Sequence, residues 1–248
     1  MQLFKKDIKF VRSLGQKKFR LESGCFIAEG LKLTREALSS PWPVHSVYST
    51  DDAFIAEYPQ TIKVTSHEME MMSQLHSPSA HLVVVKNVPQ RIDIATAPRI
   101  VILDGISDPG NMGTILRTAD WFGIRHMYCT PQCVELTNPK VVQATMGSLF
   151  RTVVESAPAE QFIPALKAAG YRIAGAVLNG QSVYDCVFTN RHAIVIGSES
   201  HGISSTVLPL LDDRITIPGE MGAESLNASV AAGILLMEHH RQTLARHE

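Results

Sequence analysis

Residues 99–123 read RIVILDGISDPGNMGTILRTADWFG, an apolar run that leads through a proline–glycine turn into a segment with helical spacing. The apolar run at 99–106 predicts a strand that is buried on both faces, as strands of parallel sheets are. Asn111 stands where a helix N-cap is expected, and Gly113 allows a backbone or a ligand to approach closely. Taken alone, Asn111 is better explained as a plain cap, and Arg117 as one half of a surface ion pair.

The same order of elements recurs through the second half of the chain. Apolar runs predict strands at 125–130, 171–179, 193–197 and 214–218, and helical spacing predicts helices near 112–123, 140–149, 159–169, 203–211 and 225–240. Strands that alternate with helices indicate an α/β fold with a mostly parallel sheet that helices cover on both faces. Ligands of such sheets bind beyond the carboxyl ends of the strands, so we expect the functional residues in the loops that follow them.

A second junction, AIVIGSESHGIS, covers residues 193–204. Gly197 ends the predicted strand there, and Glu199 and Gly202 follow it. A glycine at this position can open space for the flat face of a ligand against the main chain. The dinucleotide-binding pattern GxGxxG is absent, so the spacing does not indicate a nicotinamide or flavin dinucleotide.

A third junction, RITIPGEMGAESLNASVAAGILLMEHH, covers residues 214–240. Ser225 and Asn227 stand at the start of the predicted helix, where either could be a plain cap. The loop before them, PGEMGAE, is more permissive than a cap requires. Helical spacing predicts a core-facing stripe along this helix, made of Leu226, Val230, Ile234 and Met237.

The first ninety residues alternate short helices and strands. Spacing predicts helices at 4–14, 29–38, 51–58 and 67–75 and strands at 44–49, 62–66 and 81–88. The segment PQRIDIATAP at 89–98 has two prolines and little periodicity, which indicates a domain boundary. The sequence thus predicts a small α/β domain over 1–90 and a larger one over 98–248.

Composition narrows the class of protein. Of 248 residues, 45% are hydrophobic and 19% are charged, so the chain can bury a full core and is not a disordered or collagen-like protein. No uncharged apolar run approaches the ~18 residues of a membrane span, and no apolar segment typical of a signal peptide follows the first lysines. We therefore expect a cytoplasmic chain, whose four cysteines are reduced and hold no metal.

The charge is distributed unevenly around a formal net charge of −1. Within residues 1–20, seven lysines and arginines face a single acid, Asp7. A basic arm on a nearly neutral protein suits a polyanion that touches one region, and it is equally consistent with a solvated helix face.

The three junctions, in this order, resemble the three motifs of the SpoU (TrmH) class of RNA ribose 2′-O-methyltransferases, in the SPOUT superfamily. The matching residues are Asn111, Gly113, Arg117, Gly197, Glu199, Gly202, Ile217, Pro218, Ser225, Leu226, Asn227 and Glu238. Residues 138–151 resemble the intermediate segment of the family, and residues 17–38 resemble the small substrate-binding domain of many members. The chain departs from the family at Gln143, Gly219 and Ala228.

The resemblance implies a knotted α/β domain, S-adenosylmethionine as the cofactor, RNA as the partner, a homodimer and no metal. It implies that the main chain of Gly197, Ile217 and Leu226 holds the cofactor. Its implied catalytic residues are Arg117, Asn111, Glu199, Ser225 and Asn227, and its implied RNA contacts are Lys17, Lys18 and Arg20. The N-terminal domain favours ribosomal over transfer RNA.

The resemblance implies that Arg117 activates the ribose hydroxyl, whereas its chemistry favours an electrostatic role. A guanidinium is a poor base, so we expect Arg117 to anchor a phosphate and to stabilise the forming alkoxide. Glu199 could pair with Arg117 or accept a proton, and His201 is a further conceivable base. The rival hypotheses are an RNA-binding protein that kept the fold without activity, and a nucleotide-dependent enzyme that acts on a small molecule.

Overall fold

The computed structural model describes residues 3–189, 191–220 and 224–244. The chain divides into two compact units, Met1–Pro89 with Glu135–Arg151, and Gln90–Val134 with Thr152–Glu248. The segment 135–151, which the sequence assigns to the larger domain, therefore groups with the first unit. The two predicted domains as such stay a prediction.

The elements alternate along the whole chain. The helices are α1 (Lys5–Ser13), α2 (Lys17–Ser23), α3 (Leu31–Leu38), α4 (Asp52–Glu57), α5 (Ser66–Met72), α6 (Pro109–Trp121), α7 (Pro139–Thr145), α8 (Ala159–Ala168) and α9 (Ala228–Leu244). The strands are β1 (Cys25–Glu29), β2 (Val44–Ser49), β3 (Ile62–Lys63), β4 (His81–Lys86), β5 (Arg99–Asp104), β6 (His126–Cys129), β7 (Val153–Ser156), β8 (Arg172–Ser182), β9 (His192–Gly197) and β10 (Asp213–Thr216).

The first unit is built on a sheet in the order β1-β4-β2-β3, in which β4 runs antiparallel to both of its neighbours. Its core contains Phe26 of β1, which contacts Trp42 and Phe150 with ring centroids 5.7 and 6.4 Å apart. The sequence did not predict α2 or β1. All five side chains of β1 are buried, so this strand lacks the alternation that marks a half-exposed strand.

The second unit is built on a sheet in the order β10-β8-β9-β5-β6-β7, and every recorded pair of its strands is parallel. This confirms the predicted α/β fold with a mostly parallel sheet. The strand β7 is an addition to the prediction. The helix predicted at 203–211 is wrong, because this region forms turns and one short 3-10 helix, Leu208–Leu210. The knotted path of the chain stays a prediction.

Of the predicted core stripe of the last helix, Ile234 is half-buried, and the other three residues are exposed. Leu226, Val230 and Met237 are 46%, 50% and 46% exposed. The helix instead buries its opposite side, on which Ala228, Ala232, Leu235, Leu236, Glu238 and His239 lie. The helix is apolar on two sides, so periodicity alone could not decide which side packs inward. Within the described part of the chain, no helix is long and apolar enough to cross a membrane.

Candidate active site at the carboxyl edge of the parallel sheet

Three predicted site residues from three separate junctions meet in one hydrogen-bonded cluster. Asn111 donates from Nδ2 to Glu199 Oε1 at 2.7 Å. Asn227 donates from Nδ2 to Asn111 Oδ1 at 3.0 Å, and also to Glu199 Oε1. The network fixes both amide side chains and one carboxylate oxygen, while Glu199 Oε2 has no hydrogen-bond partner among the described residues. A fixed carboxylate with a free oxygen can accept a hydrogen bond or a proton from a ligand.

The helix caps explain how the two asparagines reach this cluster. Asp108, and not Asn111, caps α6, because its Oδ1 accepts a hydrogen bond from the main-chain nitrogen of Asn111 at 2.8 Å. Asn111 is therefore inside the first turn of α6, and its buried side chain is free to bond to Glu199. Asn227 does cap α9, because its Oδ1 accepts hydrogen bonds from the nitrogens of Ser229 and Val230 at 2.9 and 3.3 Å. Asn227 is therefore both the N-cap of α9 and a member of the hydrogen-bonded cluster.

Glu199 lies at the tip of a tight turn that closes on itself. Ser198 and Gly202 exchange two main-chain hydrogen bonds, of 3.0 and 2.9 Å. A Cβ atom added to Gly197 would lie 2.2 Å from the carbonyl carbon of Gly202 and 2.3 Å from the nitrogen of Ile203. The space above Gly197 is therefore filled by the chain itself, which corrects the expectation that it receives the flat face of a ligand.

Arg117 is exposed on α6. Across residues 3–189, 191–220 and 224–244, its side chain has no hydrogen-bond or ion-pair partner, so the ion pair considered with Glu199 is not formed. The carboxylate of Glu199 is held by Asn111 and Asn227 instead. A cation that no carboxylate neutralises is available to a phosphate or to a developing negative charge.

The proposed cofactor residues lie in the loop between β10 and α9. Ile217 is half-buried directly after the strand, and Ser225 and Leu226 are exposed before the helix. Among the described residues, the main-chain groups of Leu226 have no hydrogen-bond partner, so they can bond to a ligand. Met221, Gly222 and Ala223 of the same loop lie outside the described residues.

The predicted RNA contacts in the first unit separate into two kinds. The side chains of Lys17 and Lys18 are 70% and 76% exposed, and their ammonium groups lie 3.8 Å from Glu135 and 3.9 Å from Glu22. Arg20 is only 5% exposed, and its Nε donates to Glu135 Oε1 at 2.6 Å while Nη1 donates to the carbonyl of Leu14 at 2.8 Å. The expectation that Arg20 contacts a phosphate is therefore corrected, because its guanidinium is committed inside the unit.

Two polar residues near the site were not found from the sequence. Asp104 is 4% exposed at the end of β5, and it accepts hydrogen bonds from Thr130 Oγ1 at 3.2 Å and from the nitrogen of Ser204 at 2.7 Å. Thr130 is 3% exposed in the loop after β6. The available signal was the carboxylate that closes the apolar run VILD, since a charged group is seldom buried without partners.

His201 and Glu238, two further residues singled out from the sequence, lie in different environments. His201 is exposed, and its Nδ1 lies 2.7 Å from the hydroxyl of Ser200. Glu238 is buried and pairs with Arg241 at 2.7 and 2.8 Å and with Gln242 at 2.8 Å, which makes it a structural carboxylate. In the part of the chain that the structure describes, no three His, Cys, Asp or Glu side chains are grouped to hold a metal ion.

Two family models match the chain, one over its N-terminal part and one over the rest. The model of the SpoU rRNA methylase family matches residues 98–237, and the model of the MRM3-like substrate-binding domain matches residues 5–82. The chain belongs to the SpoU rRNA methylase family. The predicted family, the RNA methyltransferase activity and S-adenosylmethionine as cofactor are confirmed.

Individual relatives agree over nearly the full length. A TrmH-family structure from Porphyromonas gingivalis is 34% identical, with 97% of this chain and 99% of that chain covered and a TM-score of 0.89. An S-adenosylmethionine-bound rRNA methyltransferase from Sinorhizobium meliloti is 27% identical, with 97% of each chain covered and a TM-score of 0.87. A 23S rRNA guanosine 2′-O-methyltransferase of Bacillus subtilis is 29% identical, with 92% of this chain and 94% of the relative covered.

Proposed function

We propose that this chain methylates a ribose 2′-oxygen of ribosomal RNA at the carboxyl edge of its parallel sheet. The observation that carries the proposal is the cluster of Asn111, Glu199 and Asn227, which joins three junctions beside a helix that presents an unpaired Arg117. The Bacillus subtilis relative, which is named as acting on a guanosine 2′-oxygen of 23S rRNA, supports the choice of atom and of RNA.

S-adenosylmethionine supplies a methyl group that is already electrophilic, so the chain must mainly align the reacting atoms. The main chain of Gly197, Ile217 and Leu226 would hold the cofactor. Guanidinium groups stay protonated in proteins, so Arg117 acts as a cation that binds a phosphate and stabilises the oxyanion.

The amide cluster and Ser225 prepare the ribose hydroxyl. Asn111 and Asn227 hold one oxygen of Glu199, which leaves Oε2 to accept a hydrogen bond or the proton of the 2′-hydroxyl. The exposed hydroxyl of Ser225 orients the sugar. This division of roles does not require a metal ion.

The first unit binds the RNA in this proposal. Lys17 and Lys18 lie on α2 beside two exposed apolar side chains, Phe19 and Leu21, which are 37% and 69% exposed. Exposed cations interleaved with an aromatic ring suit RNA, because phosphates and unstacked bases are then both contacted. The match to a substrate-binding family model over residues 5–82 supports this assignment.

We further propose that the enzyme is a homodimer and works in the cytoplasm. Trp121 of α6 is 84% exposed, and Val230 and Met237 of α9 are about half exposed. Large apolar side chains that stay exposed on two helices packed against each other are typical of a surface that a second copy covers. The four cysteines are free thiols, as in a reducing compartment.

Mass-spectrometric mapping of ribose 2′-O-methylation in cells with and without the gene tests the function. One ribosomal RNA site should lose its methyl group in the deletion strain and regain it on complementation with the wild-type gene. Complementation with the Arg117→Ala variant is the control and should not restore it. An unchanged ribosomal RNA map, with a methyl group lost from transfer RNA instead, would contradict the choice of RNA.

A further inference from the structure

Asp104 is a buried carboxylate at the edge of the sheet that carries the site. It is the last residue of β5 and lies opposite Gly197 of β9 in the parallel ladder. Its Oδ2 accepts a hydrogen bond from the main-chain nitrogen of Ser204 at 2.7 Å, and its Oδ1 accepts one from Thr130 Oγ1 at 3.2 Å. Both carboxylate oxygens are therefore used, which is how a buried charge is tolerated.

The partners of Asp104 belong to separate loops of the second unit. Thr130 follows β6, and its Oγ1 also accepts a hydrogen bond from the nitrogen of Gly105 at 3.0 Å. Gly105 has a φ of +68°, in the left-handed region, at the point where the chain leaves β5 toward α6. One carboxylate and one hydroxyl thus tie the loops that follow β5, β6 and β9.

The bond to Ser204 acts on the turn that carries Glu199. Ser204 comes two residues after Gly202, which closes the turn of residues 198–202 through its hydrogen bonds to Ser198. The main chain of Gly202 and Ile203 lies directly over Gly197. A Cβ atom added to Gly197 would lie only 2.2 to 2.4 Å from the main-chain atoms of these two residues. The position of the 198–202 turn relative to β9 therefore depends on the position of Ser204.

We propose that Asp104 is a positioning residue for methyl transfer. By holding Ser204 it fixes the 198–202 turn, so that Glu199 reaches Asn111 and Asn227 and the main chain at Gly197 keeps the place where it holds the cofactor. For its effect on catalysis this inference rests on the proposed function, whereas its effect on the turn does not.

Glu155 provides a matched control in the same unit. It is also buried, at 9% exposure, and its Oε2 accepts a hydrogen bond from the nitrogen of Ile92 at 2.9 Å, while Oε1 accepts one from Arg91 at 2.5 Å. Glu155 lies in the edge strand β7 and holds the chain before β5, not a loop of the site. Loss of either carboxylate should lower stability, but only loss of Asp104 should alter the site.

The experiment compares full-length Asp104→Ala, Asp104→Leu, Asp104→Asn and Glu155→Ala with the wild type. Calorimetry measures the affinity for S-adenosylhomocysteine, hydrogen exchange measures the protection of residues 198–204, and single-turnover assays measure methyl transfer to ribosomal RNA. All are read at a temperature at which each variant is folded, and the thermal midpoint of each variant is recorded.

We expect Asp104→Ala to weaken the affinity for S-adenosylhomocysteine about tenfold, to slow methyl transfer, for which misplacement by 1 Å can cost ~100-fold, and to speed exchange at 198–204. Asp104→Asn should recover most of both, because an amide oxygen can accept from Ser204 while its NH₂ donates to Thr130. Glu155→Ala should lose thermal stability and keep its affinity. Equal affinity in Asp104→Ala and Glu155→Ala would overturn the proposal.

Two outcomes keep the test decisive. If Asp104→Ala does not fold, Asp104→Leu, which fills more of the space of the side chain and also removes the acceptor of the Ser204 nitrogen, takes its place, and a wild-type affinity and protection there would refute the role of Asp104. If the wild type binds S-adenosylhomocysteine but methylates no ribosomal RNA, the proposed function fails, while affinity and exchange still decide the role of Asp104.

Discussion

Polar side chains at the two edges of the parallel sheet of the second unit differ in whether they have hydrogen-bond partners. At the carboxyl edge, Asn111, Glu199 and Asn227 bond to one another and keep one carboxylate oxygen free. At the amino edge, His239 of α9 packs against His192, the first residue of β9, with ring centroids 6.2 Å apart. His239 is 1% exposed, and neither of its ring nitrogens has a hydrogen-bond partner in the described ranges.

The difference shows how burial and pairing decide the state of a polar group. Burial, with a smaller contribution from the charge of Arg99, lowers the pKa of His239 to about 3, so the ring is neutral at physiological pH. The groups at the carboxyl edge are held by neighbours from other loops instead. A buried polar group without a partner lowers stability, whereas a paired group with a free oxygen is ready for a ligand.

Arg117 provides the strongest test of the carboxyl edge. Replacement by alanine should slow methyl transfer by ~100-fold or more, the cost of losing one contact to a transition-state charge. Lysine should recover only part of the rate, because it lacks the planar fork that grips a phosphate. Single-turnover transfer on ribosomal RNA measures this. Arg125→Ala, which removes an exposed arginine paired with Asp120, is the control and should keep its rate. A normal rate for Arg117→Ala would remove Arg117 from the site.

The amino edge should make the fold sensitive to acid. The pKa of His239 is about 3 in the folded state and about 6.5 in an unfolded chain, so between these values the unfolded state binds more protons. Stability is therefore fully present above pH ~6.5 and is lost as the pH falls, by about 2 kcal/mol at pH 5. Urea unfolding at pH 7 and pH 5 measures the loss.

His239→Leu should remove most of this acid sensitivity and keep or raise the stability at pH 7, because an unpaired buried polar group is replaced by an apolar one. His67→Leu is the matched control, since the His67 side chain is 79% exposed, and it should retain the wild-type slope. An unchanged slope in His239→Leu would assign the acid sensitivity to other groups and break the comparison of the two edges.

Asn227 can separate the cap of α9 from the cluster. Asn227→Ala should cost about 1 kcal/mol of stability, the usual loss for an N-cap, together with activity. Asn227→Asp can still cap α9 but brings a second carboxylate to Glu199, so it should keep most of the thermal stability and lose activity. Thermal melts and methyl-transfer assays measure the two effects. Full activity in Asn227→Asp would mean that only the cap matters.

The smallest expected effect concerns RNA binding by the first unit. Changing Lys17 and Lys18 to alanine should lower the salt dependence of RNA affinity by roughly 0.7 per lost phosphate contact, as for single strands. Lys63 and Lys167, like Lys17 and Lys18, each pair with one carboxylate but lie outside α2, so their double alanine variant is the matched control. Filter binding over a range of salt concentrations measures the slopes. Equal slopes in both double variants would mean that Lys17 and Lys18 are solvated surface residues that do not contact the RNA.

Local pattern predicted most of the second unit. The apolar runs before Gly197 and at 99–106 gave strands at nearly the observed places, because parallel strands buried on both faces need uninterrupted apolar sequence. Asn111, Glu199 and Asn227 stood out by their positions after strands and at helix starts, but only the resemblance to the SpoU class marked them as site residues. Their contacts with one another depend on which strands are neighbours, which spacing along the chain does not contain.

The errors share one physical cause. In the sequence, Arg20 belongs to a basic arm that is expected to be exposed. In the structure it is buried, because it pairs with Glu135, which is distant in sequence. Leu226, Val230 and Met237 read as core, and only the packing of α9 against α6 leaves them exposed. Each depends on a tertiary contact far away in sequence, and local propensity does not determine such contacts.

The grouping of residues 135–151 with the first unit bears on how modular this enzyme is. Val142, Leu149 and Phe150 are buried in one cluster with Phe26 and Trp42, although they lie between β6 and β7 of the methyltransferase sheet. A gene fusion that exchanged residues 1–89 as a cassette would leave these three apolar side chains without their partners. An exchange of the first unit would therefore have to include both segments, and a fragment that lacks residues 1–89 should expose apolar side chains between β6 and β7 and aggregate.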